Sequence, residues 1–255
     1  MTLGTSVRVR YVATMVHERI LETESNGSPM AVVHTGPDGG AERRVVVFHD
    51  GPGLRASTHE FAAKLATEGY EVMVPDLYHH HGRLIGFEPS DVAADPHAGS
   101  KIWTMISSLT DASIQADLDA ALAVVGWTDA DRLGCIGFCL GARAVFRTMM
   151  RLPGQFAAGA MWHPSFLADD QPDSPHLTAP SLANSLFVGI GDADEVQSIA
   201  MHQRFFDAVG PLAHVSVEIF EGADHGFTWP VAPTYHEEAA TRCFAETTRL
   251  FSRQL

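Results

Sequence analysis

The chain has 255 residues, 45% of them hydrophobic and 19% charged, enough to close a sizeable core without disulfides or a structural metal. A balance of 17 basic to 31 acidic residues leaves a formal charge of -14, which repels phosphate backbones and anionic headgroups. Neither nucleic acid nor a membrane surface is therefore expected as a partner. Three cysteines build no disulfide framework and fit a reducing, cytoplasmic compartment. The apolar stretch 11–16 is too short for a signal sequence, and no run approaches the ~18 apolar residues of a membrane span.

Residues 17–23 and 30–35 are rich in β-formers around Asn26-Gly27, which predicts an N-terminal hairpin. After a loop at 37–42, Val45-Val46-Val47-Phe48 is a continuous apolar run, the pattern of a strand buried on both faces of a parallel sheet. Ser57-x-x-Glu60 reads as a capping box opening a helix, with Phe61, Leu65 and Ala66 at helical spacing and Gly69 as its stop. A strand over 70–74 ends at Pro75. The segment 78–110 holds Pro89 and Pro96 and only a weak helical piece at 102–109, so it reads as a long, lid-like connection. Helices are predicted at 111–125, 140–151, 196–209 and 237–253, and strands at 133–138, 157–161, 185–190 and 215–220. Alternating strands and helices imply an α/β fold with a mostly parallel sheet and helices on both faces. With no repeat or linker to divide it, the chain is expected to be one domain, 1–255.

In such sheets the ligand crevice lies beyond the carboxyl ends of the strands. Four reactive side chains follow predicted strands directly: Asp50, Cys139, Asp194 and His225. Gly137-x-Cys139-x-Gly141 at a strand-to-helix junction is a nucleophile elbow with cysteine as the nucleophile. The helix N-terminus there favours a thiolate and can later hold an oxyanion. Cys135, within the strand, and Cys243, on the last helix, read as core. His225, between Gly222 and Gly226 in a loop, is the candidate base. Asp194 is the candidate orienting acid, with Asp192 as its rival. The order Cys139, Asp194, His225 is that of an α/β-hydrolase triad. The amides of Leu140 and Gly51, the latter in His49-Asp50-Gly51-Pro52-Gly53, are the candidate oxyanion donors.

These strings resemble the dienelactone hydrolases over almost the whole chain. The likeness rests on residues 45–54, on Gly69-Tyr70-Glu71-Val72-Met73-Val74-Pro75-Asp76-Leu77-Tyr78, on Gly137-Phe138-Cys139-Leu140-Gly141 and on His225-Gly226-Phe227. The resemblance implies an α/β-hydrolase fold, a Cys139–His225–Asp194 triad, and hydrolysis of a lactone or ester without a cofactor. It also implies that the acid at Asp50, where relatives carry Glu, contacts the resting thiol; the residues leave two roles open, that Asp50 keeps the thiol protonated or that it only hydrogen-bonds the turn Gly51–Gly53. Two arginines that bind the substrate carboxylate in dienelactone-cleaving relatives are replaced. One position holds His80, with Arg83 nearby, and the other holds Trp229. A less anionic ester or lactone is therefore expected. His163, in Trp162-His163-Pro164-Ser165, is expected to wall the substrate pocket.

Asp76 with His79-His80-His81 invites a metal reading, but adjacent loop histidines point in different directions, and no metal is expected there. A different class of function remains compatible with the same residues: a non-catalytic or redox protein with Cys139 as sensor thiol or ligand contact. The expected molecule is a monomer or homodimer acting on a small-molecule ester or lactone.

Overall fold

The computed structural model describes residues 6–11 and 14–255, with side chains from residue 15 onward, so the N-terminal stretch read for a targeting signal lies partly outside the described residues. The chain forms two compact units, residues 1–133 and 134–255. Among the described residues no helix is long and apolar enough to cross a membrane.

The first unit is built on strands β1 (Ser6–Tyr11), β2 (Thr14–Ser25), β3 (Ser28–Pro37), β4 (Arg43–Phe48) and β5 (Tyr70–Pro75), in the spatial order β1-β2-β3-β5-β4. The β2–β3 hairpin turns at Asn26 and Gly27, both with positive φ (51° and 73°), the conformation that suits a tight turn to the strands' twist. β4 runs parallel to β5, and its Val45–Phe48 run is completely buried. Helix α1 (Ala56–Thr67) starts one residue before Ser57. The expected capping box does not form, because Ser57 is buried and Glu88 reaches in from the long connection to accept from the Ala56 amide at 2.7 Å. That connection carries two helices, α2 (Pro89–Ala94) and α3 (Ala98–Ser108), where only one weak helical piece is expected. Its start is stitched to the loop after β4: Leu54 donates to Ile85 and Phe87 to Pro52, each at 2.8 Å. Helix α4 (Asp111–Val125) follows, over the predicted residues, and Thr110 caps it by accepting from the Ser113 amide.

The second unit contains β6 (Leu133–Phe138), α5 (Leu140–Arg151), β7 (Phe156–Trp162), the short α6 (Pro175–Thr178), β8 (Ser185–Gly191), α7 (Ile199–Val209), β9 (Val215–Phe220) and α8 (Glu237–Gln254). The strand order is β6-β7-β8-β9, with β7, β8 and β9 parallel. Their carboxyl ends therefore share one edge, and the loops leaving them hold the candidate residues Asp194 and His225.

Candidate active site

The position of the candidate nucleophile, Cys139, is set by crowding. β6 is buried throughout and delivers the chain at Cys139, which takes φ 52° and ψ -116° before α5 begins. Such a conformation is costly for a residue with a Cβ and persists only where surroundings hold it. The holders are visible: the Cys139 amide donates to the Trp162 carbonyl at 3.2 Å, and its carbonyl accepts from Ser165 at 3.0 Å and Ala142 at 3.1 Å. Gly137 must lack a side chain, since a Cβ there would lie 2.0 Å from the Gly141 carbonyl oxygen. Two further non-glycine residues with positive φ, His163 (37°) and Phe166 (61°), belong to the loop after β7 that supports the elbow. Cys139 is partly exposed, whereas Cys135 and Cys243 are buried and burial pushes both thiols well up, leaving them inert.

The loops after β8 and β9 are laced together. Asp192 donates its amide to Phe220 and Ala193 to Ala223, both at 3.1 Å, and a Cβ on Gly191 would lie 1.9 Å from the Ala223 carbonyl oxygen. This close approach brings Asp194 to His225. The buried Asp194 carboxylate accepts from the Gln197 amide at 2.7 Å and pairs with His225 Nδ1 at 2.8 Å. Asp192 instead accepts from the Gly222 amide at 2.7 Å and shapes the turn. The geometry thus separates the two rival acids.

The electrostatics follow from these contacts. Burial raises the Asp194 carboxyl, but the hydrogen bond and charge of His225 outweigh it and hold the acid below its usual range. Burial opposes charge on His225 as well, yet hydrogen bonds to Asp194 and Cys139 and their charges push it up to about 10. Near neutral pH the imidazole therefore carries its second proton beside the sulfur. The Ser165 hydroxyl, buried, lies 3.2 Å from Cys139 Sγ. Its only sequence signal is its place in the loop after a strand.

The other expected site residues divide. His163 is buried, hydrogen-bonds Thr228 Oγ1 through Nε2 at 2.9 Å, and sets its ring edge-on to His225 at 5.2 Å, so it braces the His225 ring. Trp229 is buried against Phe138, ring centroids 4.5 Å apart. Leu140 is the first residue of α5. Arg143, one turn further in, donates to the Phe166 carbonyl and pairs with Asp169 at 3.1 Å. In the first unit, Asp50 is buried and accepts from Nη1 and Nη2 of buried Arg55, at 2.7 and 2.9 Å, a partner not legible in the sequence. The Gly51 carbonyl accepts from Tyr78 Oη at 2.8 Å. His80 is exposed and stacks on His79, and exposed Arg83 is paired with Glu22 at 2.6 Å. The histidine run diverges: His79 turns to Asp117 at 3.1 Å and His81 to Ser108 at 2.8 Å.

The sequence profile of the dienelactone hydrolase family matches residues 30–255. A Salmonella typhi protein named "Putative carboxymethylenebutenolidase" is 28% identical over 233 residues, covering 87% of this chain and 82% of its own. The carboxymethylenebutenolidase of Rhodococcus opacus is 24% identical, covering 95% of this chain and 94% of its own. Among solved structures, one titled "Putative Dienelactone Hydrolase" from Klebsiella pneumoniae superposes with a TM-score of 0.79 at 23% identity, over 93% of this chain and 99% of that one. An esterase from an Arctic intertidal metagenomic library superposes with a TM-score of 0.70 at 19% identity, over the full length of both chains. The fold is that of the α/β-hydrolases, and the chain belongs to the dienelactone hydrolase family, an enzyme that hydrolyses ester or lactone bonds.

Proposed function

We propose that the chain hydrolyses small carboxylic esters or lactones of low negative charge through a Cys139 nucleophile, with His225 moving the proton and Asp194 holding His225. The observation that carries this reading is the His225 ring, fixed by buried Asp194 on Nδ1 at 2.8 Å, with the elbow cysteine among the groups that raise the imidazole. Cys139 Sγ adds to the carbonyl carbon, and the C=O electron pair moves onto oxygen. The Leu140 amide, at the start of α5, is a donor for that oxyanion. His225 then gives its proton to the leaving alkoxide, and a thioester remains. Neutral His225 next takes a proton from water, hydroxide adds to the thioester, and collapse expels the sulfur and frees the acid.

In this reading Asp50 is half of a buried ion pair with Arg55. Its charge is largely balanced by Arg55, so the protonating influence expected of it is weakened. The family match over residues 30–255 takes in residues of both compact units and supports reading the chain as one hydrolase domain. A nucleophilic thiol that must stay reduced suits the cytoplasm.

The substrate charge follows from the cations near the elbow's loops. Trp229 stands packed on Phe138, and Arg143 is committed to Asp169 and the Phe166 carbonyl, so neither offers a substrate carboxylate a partner. A partly desolvated anion without one costs several kcal/mol. The test is a panel of nitrophenyl esters and small lactones, each neutral compound paired with a carboxylate-bearing analogue, at low and high salt. Higher kcat/KM for the neutral member, lost on iodoacetamide labelling of Cys139, supports the reading. Preference for the anion sinks the substrate assignment, and turnover that survives labelling sinks the nucleophile.

A further inference from the structure

We propose that His17, His34 and Glu71 form a binding site for a divalent transition metal, zinc fitting the donor set best. The three lie on neighbouring antiparallel strands of the first unit. Register places His17 opposite Gly36 on β2 and β3, and the β3–β5 ladder, with Thr35 opposite Val72, continues to Gly36 beside Glu71. His34 is two residues from Gly36 on β3 and so shares its face. All three side chains therefore project from one face of three strands.

Gly36, in the middle of the row, is what lets them converge. A Cβ there would lie 2.3 Å from Glu71 Oε2, so the carboxylate occupies space that any other residue would fill. One ligand atom from each of His17, His34 and Glu71 lies within 4.8 Å of the others. His34 Nε2 and Glu71 Oε2 are 2.9 Å apart and buried, yet neither forms a well-aligned hydrogen bond. A cation held between them would replace this close N–O contact with two coordination bonds.

Two imidazole nitrogens and one carboxylate oxygen supply three corners of a tetrahedral zinc site and leave the fourth for water. Zinc arms of ~2.0–2.1 Å put ligand atoms ~3.3 Å apart, so adjustments on the order of 1 Å suffice. The His34 side chain is 7% exposed, that of Glu71 12% and that of His17 19%, which makes the His17 side the entry path. Asp38, 3.8 Å from His17 Nδ1, adds negative charge there.

Arg19 is the competitor. Its guanidinium lies 3.1 Å from His34 Nδ1 and can only donate, so that nitrogen holds the lone pair and Nε2 the proton. Metal on Nε2 requires the proton to move to Nδ1 and exposed Arg19 to swing away. Arg19 is thus a cation that the metal must replace.

The test is calorimetric titration of the chelator-stripped full chain with zinc chloride, with cobalt(II) visible absorption as a second readout. A Cys139→Ser background removes the one partly exposed thiol as a rival ligand. We expect one saturable site that persists in that background. Loss of a second-shell partner already costs 10–100-fold, so His17→Ala and Glu71→Gln should each weaken it by about 100-fold or more. Arg19→Ala should tighten it. His17 is only half-buried, so its variant carries the test even where a change at His34 disturbs folding. Absence of saturable binding, loss of the site with Cys139→Ser, or unchanged affinity in both His17→Ala and Glu71→Gln overturns the proposal.

Discussion

Replacing Asp194 by Asn probes the acid–base pair most finely, because it alters one charge and almost no volume. The Asp194 carboxylate accepts from the Gln197 amide and from His225 Nδ1 on its two oxygens, at 2.7 and 2.8 Å. An asparagine has one oxygen, so one of these donors must face an NH2 group. His225 rises from an ordinary 6.5 to about 10 against the pull of burial, a preference for the imidazolium of about 5 kcal/mol. Asp194 and the Cys139 sulfur share it, and an Asp194 share of about 2–3 kcal/mol is the ordinary strength of a charge-assisted hydrogen bond. Losing that share should lower kcat/KM by roughly 30–150-fold. In the wild type, activity should fall on the alkaline side as the pH approaches about 10, where the imidazolium loses the proton needed by the leaving group. In the variant that limb should move down by about 1.5–2 pH units. Stability has a matching sign. A histidine pKa raised by folding contributes fully below 6.5 and loses its contribution as pH rises through about 10. The deficit of the variant, read by urea unfolding, should therefore be largest near pH 6 and shrink toward pH 10. An alkaline limb that does not move, or an Asp192→Asn variant that is the more damaged of the two, refutes the reasoning.

Other substitutions separate chemistry from support. Ser165→Ala removes the hydroxyl 3.2 Å from Sγ, and kcat/KM should fall by about 10-fold, in line with one hydrogen bond of about 1 kcal/mol or slightly more; an unchanged rate makes the contact incidental. Asp50→Asn strips buried Arg55 of a bidentate partner, and urea unfolding should show a loss of about 3 kcal/mol. If stability holds while iodoacetamide labelling of Cys139 changes its pH profile, Asp50 serves the thiol more than the fold. Gly137→Ala forces a methyl against the Gly141 carbonyl, where a Cβ would lie at 2.0 Å, and turnover should be lost with any soluble protein recovered; normal kcat/KM would contradict the crowded-elbow account.

The parts of the fold readable from sequence are those in which one local rule dominates. Asn26-Gly27 fixes a turn by backbone conformation alone, and the β4 run is apolar because both its faces are covered. Spacing at a strand-to-helix junction singles out Cys139 among three cysteines, since burial makes the other two inert. What stayed hidden depends on partners distant along the chain. Glu88 caps α1 from 32 residues away, displacing the local box at Ser57. Arg55 neutralises Asp50 only because the intervening loop folds back. Choice between Asp192 and Asp194 needed the β8 and β9 loops laid side by side, where one acid meets the Gly222 amide and the other His225. His163 also shows the limit of position as a guide. It follows a strand as expected, but its edge contact with His225 makes it a brace for that ring.

The most direct measurement is rapid-quench mass spectrometry during turnover of a nitrophenyl ester, with peptide mapping of the acyl group. Two groups that could carry the acyl adduct, Cys139 Sγ and Ser165 Oγ, lie 3.2 Å apart, so location of the adduct is decisive. The account predicts an acyl thioester on Cys139 that accumulates further in Asp194→Asn, and no turnover in Cys139→Ala. An adduct on Ser165, or full turnover in Cys139→Ala, would contradict it.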